Sequence, residues 1–154
     1  MGLLIDTSVI VALERQKGVP AELAVRAGSE AVYLSAVTAS ELLHGLHRAE
    51  QESIRERRSA FIEDAFRLFP ILPFDLEVAR EHARIWADLS RQGMLIGAHD
   101  LMIAATALAH DLSLVTFNAR EFSRVQDVTL VTWETQETRP ARSTLDDGTP
   151  GSCI

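Results

Sequence analysis

Cysteine and lysine are almost missing from this chain: Cys153 and Lys17 are the only ones among 154 residues. One cysteine builds neither a disulfide framework nor a thiolate metal site, which suits a reducing cytoplasm and leaves stability to an apolar core. No apolar run approaches the ~20 residues that a membrane span requires. Asp6 interrupts the first apolar run and no basic segment precedes it, so no signal peptide is expected. Neither G-x-G-x-x-G nor a Walker loop is present, which removes the common cradles for nucleotide cofactors. Positive charge is also short: 15 Lys and Arg stand against 22 Asp and Glu, a formal net charge of −7. Proteins that grip nucleic acid by bulk charge are normally basic, so such a role here must rest on a local basic patch or on bound metal.

What is present suffices for one globular domain. Hydrophobic residues make up 47% and charged residues 24%, enough to bury a core without a staple. The composition changes once. Residues 1–134 carry periodic apolar positions; residues 135–154 are polar and turn-rich and read as a disordered tail. Within the first part, short β-like runs (residues 2–5, 31–34, 71–74, 113–117 and 129–133) alternate with helical patterns (8–16, 21–27, 36–50, 53–69, 76–91 and 100–110). Strands separated by helices predict an α/β/α domain with a mostly parallel sheet of four or five short strands. The expected core includes Leu4, Ile10, Leu34, Leu42, Leu46, Ile85, Ile103, Leu108, Val115 and Val131. Ligands of such sheets sit beyond the carboxyl ends of the strands, so chemistry is sought directly after each strand.

Asp6 follows the first strand and opens a helix, a position where aspartate also serves as an ordinary N-cap. Asp100 stands at the head of a stretch that is apolar all round, the pattern of a buried helix; it either caps that helix or meets a cation. Glu41 falls on the same helical face as Val37 and His44, away from Ala39, Leu42, Leu43 and Leu46, so helical spacing alone makes it a solvated residue. Asn118 and Glu121 follow the strand that contains Thr116, where a polar turn and one turn of helix would account for them equally. Taken together, these oxygen donors suit Mg²⁺ or Mn²⁺. Carboxylates crowded without a cation would raise one another's pKa, and a bound ion would resolve that conflict.

Four blocks in order, LLIDTSVIVALE, YLSAVTASELLHGL, IGAHDLMIAATAL and LVTFNAREFSRV, resemble the PIN-domain family, and within it the VapC-type toxin ribonucleases of type II toxin–antitoxin systems. The resemblance spans about residues 2–133. It implies a three-layer α/β/α sandwich, Mg²⁺- or Mn²⁺-dependent endoribonuclease activity on RNA, a cognate VapB-like antitoxin and a homodimer. Carried over by position, it makes Asp6, Glu41 and Asp100 the catalytic and metal-holding acids. The family's fourth acidic position falls near Asn118, where many members have Asp; Asn118 offers a carbonyl oxygen and Glu121 the missing charge. Thr7, Ser8 and Thr116 match small polar positions that would support the acids or contact phosphate.

Rival folds fit less well. A receiver domain needs a late lysine, and Lys17 is early. A dehalogenase-type phosphatase needs D-x-D where this chain has Asp6-Thr7-Ser8. An HD phosphohydrolase would use His99 and Asp100 with further histidines, and His44, His47, His82 and His110 form no companion pattern. A catalytically weak or inactive PIN-fold protein-binding module is the alternative of another class; Asn118 favours it and the three acids oppose it. For RNA binding, Arg48, Arg55, Arg57 and Arg58 form the best basic patch, although a solvated helix face explains it as simply. The antitoxin is expected to cover the acids with an Arg or Lys and to pack on the helices of residues 36–69.

Overall fold

The computed structural model describes residues 2–134; the predicted tail lies outside the described residues. Five strands, β1 (Gly2–Ile5), β2 (Ala31–Ser35), β3 (Ile71–Leu72), β4 (Leu112–Val115) and β5 (Leu130–Val131), form one sheet in the order β3-β2-β1-β4-β5. Every pairing is parallel, with Gly2 opposite Ala31 on one side and Leu112 on the other. Around it lie α1 (Thr7–Arg15), α2 (Ala21–Ala27), α3 (Ala36–His47), α4 (Glu52–Leu68), α5 (Leu76–Gln92), α6 (Ala98–Ala109) and the single turn α7 (Ala119–Phe122).

Alternation along the strands builds two cores. Leu3, Ile5, Val32, Leu34 and Val115 join one cluster with Ile10, Leu23, Leu42 and Ile62. Leu4 and Leu114 point to the other face and meet Val78, Ile85, Leu101 and Ile103. Both faces of β1 are therefore covered, which is why its four residues are uniformly apolar or small. Seven of the ten expected core residues are buried; Leu46, Leu108 and Val131 are partly buried and pack against the same clusters. The all-round apolar helix α6 buries Leu101, Ile103 to Ala107, and its buried Thr106 hydroxyl donates to the Met102 carbonyl at 2.9 Å. Among the described residues no helix is long and apolar enough to cross a membrane.

Local chemistry sets the ends. Asp75 caps α5 by accepting the Val78 N–H at 3.0 Å, and Gly93 ends it in the left-handed region at φ 65°. Ser35 caps α3 by accepting the Thr38 N–H at 2.9 Å. Several boundaries differ from the sequence pattern. The edge strands β3 and β5 stop after two residues each, because pairing ends where the neighbouring strand gives way to its helix or turn. Helix α6 starts at Ala98 with Gly97 as its N-cap, so Asp100 lies within the first turn instead of at the helix head.

The strand order places the switch point between β1 and β4: the chain winds outward through β2 and β3, then returns to β4 and β5 on the other side. The carboxyl ends of β1 and β4 thus frame the crevice in which this class of sheet binds ligands.

Candidate active site

Asp6 leaves β1 at this crevice. Its N–H donates to the Val115 carbonyl at 2.9 Å, which fastens the end of β1 to the end of β4. The residue is only 4% exposed. It occupies the N-cap position of α1, yet its side chain makes no capping bond. Instead Oδ2 accepts the Ser8 hydroxyl at 2.6 Å and the buried Thr116 hydroxyl at 2.8 Å. Those hydroxyls are themselves aimed by backbone amides: the Phe117 N–H donates to Ser8 Oγ at 3.2 Å, and the Asn118 N–H to Thr116 Oγ1 at 2.9 Å. Ser8 and Thr116 are thus spent on the carboxylate.

Glu41 is drawn inward by a partner 34 residues earlier: the Thr7 hydroxyl donates to Oε1 at 2.9 Å. Its other oxygen stands 3.7 Å from His99 Nδ1, and about a third of the side chain (31%) is exposed. Asp100 accepts a 3.3 Å bond from the Asn118 side-chain amide. Burial pushes its carboxyl up to about 6, and the negative charges of Asp6, Glu41 and Glu121 push the same way, with His99 opposing. Residues far apart in sequence therefore share one electrostatic site. Among the described residues, no Lys or Arg pairs with Asp6, Glu41 or Asp100.

The donor set is chemically suited to a hard divalent cation: carboxylates, an amide that also carries a carbonyl, and no soft ligand. Mutual repulsion at Asp100 is the strain that a cation would relieve. Among the described residues no group of three or more His, Cys, Asp or Glu is arranged to hold a metal ion.

The predicted residues thus fall into distinct places. Hydrogen bonds join Asp6, Ser8, Thr116, Asn118 and Asp100 in one set and Thr7 and Glu41 in another, and Glu41 and Glu121 act on Asp100 through their charge. Glu121 also pairs with Arg124 at 3.6 Å. Two of the four arginines proposed for RNA have partners within the fold. Arg58 binds Glu14 at 2.8 Å and the Gly45 carbonyl at 3.0 Å, and Arg55 binds the Ala49 carbonyl at 2.7 Å. Those two tie α4 to its surroundings, while Arg48 and Arg57 stay exposed. Thr38, outside the set of expected site residues, is fully buried beside Thr7 and Ser35. Its signal was available in the spacing Ser35-x-x-Thr38, the start of a capped helix.

Fold and site together define a doubly wound α/β protein with clustered acids at its switch point. The PIN domain model matches residues 3–128, and the chain belongs to that family. Among its relatives, Ribonuclease VapC1 of Rickettsia felis is 45% identical over 132 residues, covering 86% of this chain and 96% of that protein. The tRNA(fMet)-specific endonuclease VapC of Shigella flexneri is 32% identical over 130 residues, covering 84% and 96%. The crystal structure of DNA-bound VapBC from Salmonella typhimurium matches with a TM-score of 0.77 at 26% identity, covering 86% of this chain and 98% of the other.

Proposed function

We propose that Asp6, Asp100 and Glu41 hold a divalent cation, Mg²⁺ or alternatively Mn²⁺, and that with it the chain hydrolyses RNA phosphodiester bonds. The protein is a toxin endoribonuclease of the VapC group, and its partner is a VapB-like antitoxin. The observation that carries the metal reading is the placement of Asp6 and Asp100 beside the carboxyl ends of β1 and β4, joined through Thr116 and Asn118, with no Lys or Arg paired to them among the described residues; burial and three other acids push the Asp100 carboxyl up to about 6 in support.

When bound, the cation supplies an acidified water and offsets charge on the phosphoryl oxygens. Asp6, locked by two hydroxyls, holds its negative charge without swinging. Glu41 is anchored through one oxygen by Thr7 and leaves the other to orient the attacking water. Asn118 keeps Asp100 turned toward the crevice, and Asn118 and Glu121 form its rim. Thr7 and Ser8 serve the carboxylates, so phosphate contacts fall to other groups. In-line attack with the 3′-oxygen leaving gives a 5′-phosphate and a 3′-hydroxyl, whereas attack by the substrate's own 2′-hydroxyl would leave a 2′,3′-cyclic phosphate.

The test is digestion of RNA by the purified chain with Mg²⁺, Mn²⁺ or EDTA, beside Asp6→Asn. Cleavage should require the ion and fall by at least about a hundredfold in the variant, which keeps the volume but loses the charge. Cleavage that survives both EDTA and Asp6→Asn overturns the reading. Absence of cleavage across tRNA, ribosomal RNA and messenger RNA favours the protein-binding module, to which Asn118 in place of a fourth acid points. The proposal extends to assembly: a homodimer, with an antitoxin Arg or Lys laid across the acids, whose negative charge provides the match.

A further inference from the structure

Thr38 lies in the first turn of α3 and is fully buried. Its Oγ1 is 3.1 Å from Ser35 Oγ and 3.2 Å from Thr7 Oγ1, and Thr7 Oγ1 is 2.9 Å from Glu41 Oε1. Resting on the cation-holding reading of Asp6, Glu41 and Asp100, we infer that Thr38 is a positioning residue whose buried hydroxyl, set between Ser35 and Thr7, fixes the orientation in which Glu41 meets the ion.

The direction of the protons follows from what each group is able to do. A carboxylate only accepts, so the single Thr7 proton goes to Glu41. The same Thr7 hydroxyl also stands in donor position toward Thr38 Oγ1 at 3.2 Å, so Thr7 is held between Glu41 and Thr38. Thr38 in turn accepts the Ser35 proton. Ser35 receives the Thr38 backbone N–H at 2.9 Å, which closes the arrangement on the start of α3. Thr38 Oγ1 is thus the shared acceptor of Ser35 and Thr7, and of the three hydroxyls Thr7 alone reaches Glu41. With the buried Thr38 oxygen on one side and Glu41 on the other, the Thr7 side chain is held in one rotamer, and that rotamer is the one that meets Glu41. The chain thereby joins the carboxyl end of β2 to the start of α1, and the only group it delivers to the crevice is one oxygen of Glu41. Loss of the direct outer partner of a metal-holding side chain, here Thr7, typically weakens metal affinity by about 10–100-fold, and Thr38 acts through that partner.

Mn²⁺ binding to the full chain, measured by calorimetry without RNA, tests the idea. Thr38→Val, which keeps the shape and removes the hydroxyl, should bind Mn²⁺ at least about tenfold more weakly, and Thr38→Ser should stay within about threefold of the parent. In a Glu41→Gln background, Thr38→Val should add nothing further, because the route runs through Glu41. A merely structural threonine would lower the melting temperature and leave the affinity alone. Unchanged Mn²⁺ affinity in Thr38→Val, or an equal loss in the Glu41→Gln background, overturns the inference. A parent chain that binds no Mn²⁺ overturns the cation reading and this inference with it; a parent that binds beside an unaffected Thr38→Val overturns the inference alone. If Thr38→Val fails to fold, Ser35→Ala tests the same chain from its far end: weaker Mn²⁺ binding supports it, and unchanged binding overturns it.

Discussion

Asp6 and Asp100 meet different partners in the same crevice. Asp6 is the more deeply buried, yet it receives two hydroxyl donors; Asp100 receives one amide and faces three acids. The consequence for Asp100 is a testable dependence on pH. Its carboxyl is raised from the ordinary 3.8 to about 6, so within that window the folded chain holds a proton that the unfolded chain has lost. Stability therefore falls as pH rises through the window, and the deficit is complete above about 6. Two pKa units correspond to about 3 kcal/mol, and half-exposure with solvent screening reduces that to about 1–2 kcal/mol. In EDTA at pH 7.5, Asp100→Asn should melt about 2–6 °C higher than the parent, with the gap closing near pH 4. Adding Mn²⁺ should reverse the order, because only the parent keeps the charge that holds the ion. Thermal melts across that pH range check both statements.

Secondary-structure elements were legible wherever the chain states both a pattern and a stop. Helix α5 carries its apolar stripe, Asp75 in front and Gly93 behind, and the structure uses all three. Removing its cap by Asp75→Ala should cost about 1 kcal/mol and lower the melting temperature by about 2–4 °C, with RNA cleavage unaltered. Helix α6 was legible as a buried helix, while its first residue was not, since Gly97 serves as N-cap without a polar side chain to announce it. Strands β3 and β5 were read too long: their apolar runs continue past the last hydrogen-bonded pair, and pairing depends on a neighbour that local sequence does not display. Glu41 marks the limit of helical periodicity. It shares a face with the exposed His44, and only Thr7, contributed by another helix, turns it inward. Family resemblance pointed to Glu41 where periodicity did not.

At the scale of the whole molecule, the acidic balance of −7 opposes RNA, so the few uncommitted cations carry more weight. Arg57→Gln should weaken RNA binding and reduce its salt slope by about one unit. Arg58→Gln should instead lower the melting temperature, because that guanidinium spans Glu14 and the Gly45 carbonyl. Salt titrations of binding beside melting curves separate the two, and equal slopes in parent and Arg57→Gln would remove Arg57 from the RNA surface. The central place of β1 has a further consequence, one of timing. Its Gly2 pairs with Ala31 on one side and with Leu112 on the other. During synthesis Asp6 and Glu41 leave the ribosome early, while Asp100 and Thr116 follow only after most of the domain has been made. Until β4 arrives, one edge of β1 is open and Asp6 lacks both the Val115 carbonyl and the Thr116 hydroxyl. A prematurely ended translation product therefore carries an incomplete set of acids, and the order of the strands delays the weapon until nearly the whole blade has been forged.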